Sequence, residues 1–451
     1  MDLNLELLSI QNTWWHGENL KFDPVIEQYE RQILKWRPAV LDKINLDKDE
    51  CYCFCGVKGA GKTTLLKLTI KKLIEEDKVN PHNIFFYSCH NLDSYEQLNE
   101  MIKLFLNSRA ESKARHYIFI DEIAMIKNWQ KGIDYLIRAG KLKNTTVILS
   151  SSSFIEAKIK IGYVKKITIS TLTFSEFISL INSGIFKNLN QENYLKWQHK
   201  LEYYLDIYLL TGGFISAIND YKENGAIRQN IYSSFLHWFL TYVAESGRDI
   251  ILTRQIMEKL ILNLGQPLGY KTLTHKTKAK THLTVAEYLN ILESMFTVKT
   301  VFQADDSVGS RKAKKVYFQD PFIFWLFYSY THGSLNYYKL ARERLHDNQV
   351  FSALVENIIF SHLIKNEEIK INYWRDNIKK KEINFLVKRD KNITPILIRY
   401  NKEISQADFN IFKQASASRR IKNGIIITKD KLENKNGISI MPLMYFLLFY
   451  R

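Results

Sequence analysis

Apolar positions along the chain follow two rhythms. Four short apolar runs, Cys51–Cys55, Ile84–Ser88, Tyr117–Asp121 and Thr146–Leu149, have the length and content of strands buried on both faces. Helical spacing separates them, as in Leu65-Leu66-Lys67-Leu68-Thr69-Ile70 after the first run. Strands alternating with helices predict a parallel, doubly wound α/β sheet. From Leu201 to Leu240 the spacing is helical throughout, broken at Gly212-Gly213, and reads as a helical lid. Its stripe of Tyr203, Tyr204, Tyr208, Phe235 and Trp238 is expected in a core.

A different order follows. A helix over Arg254–Leu264, a basic, threonine-rich turn from Tyr270 to His282, a helix over Val285–Met295 and a hairpin from Phe296 to Phe318 read as a winged helix-turn-helix. Lys271, Lys276, Lys278 and Lys280, with Arg311, Lys312, Lys314 and Lys315 in the wing, are expected to supply phosphate-binding charge. Residues 351–451 return to alternation, with strands at Lys370–Trp374, Glu382–Val387, Pro395–Tyr400 and Gly424–Thr428 and helices around Glu356 and over Phe409–Ala415.

The chain has 451 residues, 46% of them apolar, with 18 Gly and 7 Pro, which excludes disordered, collagen-like and low-complexity classes. No apolar run reaches the roughly 18 residues of a membrane span. The start, MDLNLELLSIQNTWW, carries acids where a signal peptide needs basic charge, so a cytoplasmic protein without a membrane partner is expected. The cysteines agree: Cys51, Cys53 and Cys55 alternate on one strand and Cys89 stands apart, which suits buried thiols rather than disulfides or zinc. With 64 Lys and Arg against 47 Asp and Glu, the formal charge of +17 favours an acidic partner such as nucleic acid. Lysines spread evenly along the chain make an evenly solvated basic surface an equal reading.

Candidate chemistry is concentrated after the first strand. Gly56-Val-Lys-Gly-Ala-Gly61-Lys62-Thr63-Thr64 is a complete G-x-x-x-x-G-K-[ST] loop between a strand and a helix. Gly56, Gly59 and Gly61 let backbone N–H groups close around phosphate oxygens, and the helix N-terminus adds partial positive charge. Lys62 is expected at the β- and γ-phosphates, Thr64 beside them, and Thr63 on Mg²⁺ through its hydroxyl. About 60 residues on, a strand ends in Asp121-Glu122. On this reading Asp121 completes the Mg²⁺ shell and Glu122, with Lys62, carries the catalysis by activating water. The acid is expected on a strand neighbouring the P-loop strand. Ser150-Ser-Ser-Ser153 ends the fourth strand; Ser150 is a candidate γ-phosphate contact, and a plain polar loop capping Phe154-Ile155-Glu156 is an equal reading. Without an N-K-x-D guanine-reading motif, ATP is preferred to GTP.

These motifs, taken in order, resemble the prokaryotic archaeal-type ATPases, AAA-like members of the STAND clade. The resemblance runs from Asn12-Thr-Trp14-Trp15 through the P-loop, Asp121-Glu122, Trp129 and Leu149-Ser150-Ser151-Ser152. It continues through Leu172-Thr-Phe174-Ser-Glu176-Phe177, Thr211-Gly212-Gly213-Phe214, Asp320-Pro321-Phe322 with Trp325, and Glu356-Asn357. The chain departs from that pattern at Gly162-Tyr163, where the family has Gly-Arg, and at Ile215, where it has Pro. The first departure removes a phosphate-facing cation and implies slow or partner-dependent hydrolysis, since an arginine finger is commonly worth about 10³–10⁵ in rate. Arg109, Arg115 and Arg138 are candidate substitutes, each better explained as an ordinary surface arginine.

The resemblance also implies a C-terminal PD-(D/E)XK nuclease-like, restriction-endonuclease-like α/β domain. Its active form needs an acid on one strand and Glu-x-Lys on the next to hold Mg²⁺. Here Asn384, Leu397 and Arg399 occupy those positions; Glu356 and Glu382 remain, with Glu382 expected on the opposite face from Asn384. A nuclease fold without nuclease activity is expected.

The resulting expectation is a P-loop ATPase domain at 1–180, a helical lid at 181–248, a winged helix-turn-helix at 249–330 and a degenerate nuclease-like domain at 331–451. The leading reading is a Mg-ATP-controlled switch engaging nucleic acid, DNA above all, or a protein partner, with ATP-dependent oligomerisation. The resemblance suggests a mobile-element or anti-phage setting. Two other readings are a DNA-stimulated ATPase motor and an interaction protein with a structural nucleotide. Lysine runs such as Lys379-Lys380-Lys381 read as solvated loops.

Overall fold

The computed structural model describes residues 5–38, 41, 44–108, 114–153, 163–304, 314–376, 381–416 and 423–450. Arg109, Phe154–Glu156, Gly162, Arg311, Lys312, Lys379 and Lys380 lie outside the described residues. The chain divides into two compact units, residues 1–170 with 294–296, and residues 171–293 with 297–451.

The first unit is a parallel sheet of β1 (Cys51–Cys55), β2 (Ile84–Ser88), β3 (His116–Asp121), β4 (Thr145–Ser151) and β5 (Val164–Thr168), in the order β2-β3-β4-β1-β5. Helices Lys62–Glu75, Tyr95–Ser108 and Trp129–Arg138 connect the strands. The apolar runs at β1, β2 and β3 are buried along nearly their whole length, as parallel strands covered on both faces must be. The acid-bearing strand is not a neighbour of the P-loop strand: β4 lies between them. Arg115 sits at the N-terminal end of β3, paired with Asp49 at 2.9 Å and donating to Thr146, far from the strand ends that carry the P-loop. Arg138 makes an exposed ion pair with Asp134 on its own helix. The P-loop strand's thiols are all buried and unbridged, and burial pushes Cys51 up to about 12.

The Asn12-Thr-Trp14-Trp15 motif closes the sheet's edge at β2. The Asn12 amide accepts from Phe86 N–H at 2.7 Å and donates to Phe86 O at 2.9 Å, while Trp15 and Trp14 indoles donate to Ile84 O. Side chains thereby satisfy backbone groups that an open edge strand would present to another chain.

The second unit begins with helices, including Gln198–Thr211, Ile215–Asn224 and Gln229–Glu245. Tyr208 and Phe235 are buried as expected, whereas Tyr203 is 60% exposed and Tyr204 and Trp238 are partly exposed. Three motifs converge at Asp320. Its carboxylate accepts from Thr171 Oγ1 at 2.7 Å, Gly213 N–H at 2.9 Å and Phe322 N–H at 2.8 Å. A Cβ on Gly213 would come within 2.2 Å of Leu172 O, and one on Gly212, which has φ +57°, within 1.7 Å of Asp320 Oδ1. Close backbone approach explains the Gly-Gly pair and ties it to the Asp-Pro-Phe segment.

Helices Ile250–Leu262, Tyr270–Thr274 and His282–Ser294 lead into the antiparallel hairpin of β6 (Val298–Phe302) and β7 (Lys314–Phe318). Lys271, Lys276, Lys278 and Lys280 are exposed. Lys314 and Lys315 are not: they are 2% and 0% exposed, so neither offers charge to a phosphate backbone. Lys314 Nζ lies 3.0 Å above the centre of the Tyr270 ring. Lys315 Nζ is held between Glu356 at 2.9 Å and Glu382.

A second α/β sheet forms the C-terminal part, from β8 (Ile369–Arg375), β9 (Glu382–Arg389), β10 (Asn392–Ile398), β11 (Gly424–Thr428), β12 (Glu433–Lys435) and β13 (Ile438–Pro442). Its order is β12-β13-β11-β10-β9-β8, and helix Asn348–Leu363 carries Glu356. The expected opposition of Glu382 and Asn384 does not hold, because residues two apart on a strand share a face. Asn384 Nδ2 donates to Glu356 at 2.7 Å, and Glu356 shares Lys315 with Glu382. Leu397 belongs to the apolar core, and Arg399 pairs with Asp408 at 2.6 Å. Asn357 bonds the backbone of Phe318 in both directions, so the Glu-Asn pair fastens β7 to this helix. Among the described residues no helix is long and apolar enough to cross a membrane.

Candidate nucleotide site

The C-terminal ends of β1, β4 and β3 carry every residue expected at the nucleotide. After Cys55 the chain turns through Gly56–Gly61 into helix Lys62–Glu75. Gly59 and Gly61 have φ of +84° and +90°, which only glycine adopts freely. Gly56 has another reason to be glycine: a Cβ there would lie 2.1 Å from Ile169 O, where the chain leaves β5. Thr64, in the helix's first turn, is partly exposed.

Lys62 is 4% exposed, and its ammonium donates to Gly56 O at 2.9 Å and Val57 O at 3.0 Å. Burial pulls its pKa below the usual lysine value, with Glu122 and Asp121 opposing. Thr63 Oγ1 donates to Asp121 Oδ2 at 2.8 Å. β4 contributes directly: Ser150 Oγ donates to Asp121 Oδ1 and accepts from Glu122 N–H at 3.1 Å. Ser150 and Ser152 therefore bond the two acids, while Ser151 and Ser153 bond each other; the capping reading falls on Phe154–Glu156, outside the described residues.

Glu122 is buried, and its backbone sits in the left-handed region at φ +53°. That conformation is uncommon outside glycine and collects at functional sites. Ser152 Oγ donates to its Oε1 at 2.7 Å, Ser152 N–H to its Oε2 at 3.2 Å, and Lys58 Nζ to its Oε1 at 2.9 Å. Burial alone would raise its pKa; the charges of Lys62 and Lys58 outweigh that and hold it at about 2. Lys58 and Ser152 are the partners that sequence reasoning did not single out. Lys58 occupies a variable position of the loop, and its only signal there is a positive charge.

Whether these groups suit Mg-nucleotide can be judged from their chemistry. A hydroxyl and a carboxylate 2.8 Å apart are hard oxygen donors suited to Mg²⁺. Lysine held only by two neutral carbonyls gives them up readily for phosphate. The residues fit the group: Thr63 and Asp121 for the metal, Lys62 and the loop amides for the phosphates. Bound there, Mg²⁺ would neutralise phosphate charge. Glu122 would orient the attacking water, and Lys62 would hold charge against the phosphate oxygens.

Residues 48–178 match the family model described as an AAA domain, and residues 202–327 and 351–446 match two domains of unknown function, DUF8612 and DUF4143. No curated protein matches the chain. Similar solved structures include the Aeropyrum pernix ORC1 protein in complex with DNA, at 14% identity over 77% of this chain and 94% of that one, with a TM-score of 0.29. A Thermotoga maritima RuvB variant follows at 14% identity, 66% and 89% coverage and a TM-score of 0.30. AMPPCP-bound DnaA from Aquifex aeolicus aligns at 14% identity, 62% and 88% coverage and a TM-score of 0.22. The parallel sheet with its P-loop gives the first unit a P-loop NTPase α/β fold, within which residues 48–178 match an AAA domain.

Proposed function

We propose that this chain is a Mg-dependent ATPase whose nucleotide state controls how its basic second unit meets nucleic acid, DNA above all, or a protein partner. The observation that carries the enzymatic part is the hydrogen bond from Thr63 to Asp121, with Glu122 one residue further on. Metal-holding groups from loop and acid strand thereby meet at one point, with a carboxylate beside them for water. Lys62 and Glu122 are the proposed catalytic pair; Gly56, Gly59, Gly61, Thr64 and Ser150 complete the nucleotide site, Ser150 by fixing both acids.

Within the second unit, the proposed parts are the helical lid at 181–248, the winged helix-turn-helix at 249–330 and the degenerate nuclease-like domain at 331–451. Exposed Lys271, Lys276, Lys278 and Lys280 support nucleic-acid contact on the winged helix; the buried Lys314 and Lys315 do not. Absence of nuclease activity is supported by Leu397 in the core and by an ammonium between Glu356 and Glu382. A cytoplasmic setting, ATP-dependent oligomerisation and a mobile-element or defence role belong to the same proposal.

ATP hydrolysis by the purified chain, alone and with double-stranded DNA, single-stranded DNA and RNA at one salt concentration, tests it. Stimulation by one of these, lost in Glu122→Gln, supports the switch. A rate untouched by nucleic acid turns the search to protein partners.

A further inference from the structure

The loop's two lysines are engaged differently. Among the described residues, Lys62 donates to neutral carbonyls, those of Gly56 and Val57. Lys58 is committed to a carboxylate: its ammonium lies 2.9 Å from Glu122 Oε1, while its side chain remains 36% exposed. Glu122 Oε1 already accepts from Ser152 Oγ, and Oε2 accepts from Ser152 N–H. With three donors on two oxygens, the carboxylate is held against Ser152 and the loop, and a water would have to compete for it. Lys58 belongs to the phosphate-binding loop itself, so an anion bound there competes for the same ammonium.

We infer that Lys58 is a positioning residue: it holds Glu122 in the resting site and exchanges it for the terminal phosphate of a nucleoside triphosphate, which releases Glu122 toward water. The inference rests on the nucleotide-site reading above. It makes the glutamate's release depend on the third phosphate, because a diphosphate leaves the ion pair in place. In a chain with tyrosine at position 163, this ammonium is a cation of the loop itself that reports the phosphate's presence.

The exchange is read from equilibrium binding, without turnover. Calorimetry with Mg²⁺ and either ADP or the non-hydrolysable triphosphate AMPPCP is run on wild type, Lys58→Met, Glu122→Gln, the double variant and Lys58→Arg. Lys58→Met is expected to weaken AMPPCP about 10-fold and leave ADP within about 2-fold, in line with loss of one charge-assisted hydrogen bond. Glu122→Gln frees the lysine and is expected to tighten AMPPCP by a similar factor, but only when Lys58 is present. Lys58→Arg keeps the ion pair and the preference for the triphosphate. Equal effects of Lys58→Met on both nucleotides, or an effect of Glu122→Gln that is the same with and without Lys58, would overturn the exchange. Lys62→Ala separates the two ideas: normal nucleotide binding by that variant removes the site reading itself, whereas lost binding there with additive Lys58 and Glu122 effects removes only the exchange.

Discussion

Replacing Lys315 by methionine tests how the second unit is held together. The ammonium is wholly buried, bonded to Glu356 at 2.9 Å and to Glu382, and both carboxylates are largely buried. Tyr317 and Asn384 also bond Glu356, and Arg375 lies 3.6 Å from Glu382. Burial alone would lower the pKa of Lys315; the two carboxylates outweigh this and raise it. Methionine keeps the aliphatic volume but leaves two largely buried negative charges, with Arg375 still 3.6 Å from Glu382. Removing one partner of a buried ion pair costs about 3–5 kcal/mol. Because Arg375 remains and Glu382 keeps some exposure, about 3 kcal/mol is expected, which for a unit of this size lowers Tm by roughly 5 °C.

The sign with pH is fixed by the carboxylates. Burial already raises the pKa of Glu382, and the variant removes the Lys315 ammonium that opposes that rise, so the penalty is complete at pH 8 and relieved as pH falls toward 5. Thermal unfolding at both pH values, with Lys315→Met/Glu382→Gln alongside, measures this; the second substitution should restore part of the loss. The salt dependence of the proposed DNA binding should not change, since a wholly buried lysine neutralises no phosphate. A Tm at pH 8 within about 1 °C of wild type, or a salt slope reduced by about one phosphate contact, would refute this reasoning.

Two further outcomes follow from the same structure. Gly213→Ala pushes a Cβ against backbone atoms of Leu172, 2.2 Å from its oxygen, and should cost about 2–3 kcal/mol in urea unfolding. His362 is half-buried, its ring Nε2 bonded to Tyr450 O, and desolvation holds its pKa down at about 4. The unfolded chain therefore takes up a proton near pH 6.5 that the folded chain refuses. Stability is lost as pH falls from about 6.5 to about 4, by roughly 3 kcal/mol at about 1.4 per pKa unit. In His362→Phe this part of the pH dependence should vanish, which stability measured across that window checks.

The nucleotide site was legible because its signals are local. A buried apolar strand, a glycine loop and a helix within some 20 residues define the P-loop, and β3 announces its acids by ending in them. What stayed hidden depends on distant neighbours. β5, Val164-Lys-Lys-Ile-Thr168, carries two exposed lysines, as an edge strand does, and so lacks the apolar run of an inner strand. The basic reading of Lys315 failed because Glu356 and Glu382 stand 41 and 67 residues from it in sequence, and that of Lys314 because its ammonium packs over the distant Tyr270 ring. Strand period alone was enough to set Glu382 beside Asn384, and there the residue spacing was legible but misread. The left-handed backbone of Glu122 and its bond to Lys58 have no sequence signature, the bond joining groups 64 residues apart in the chain.

The most direct test of the nucleotide site is Mg-dependent ATP turnover by wild type beside Glu122→Gln, with ATP binding measured on the same samples. The account predicts turnover that falls at least about 100-fold in the variant while ATP still binds, the size expected for losing a water-orienting base. Equal turnover in the two proteins would contradict it and move the hydrolytic centre away from β3.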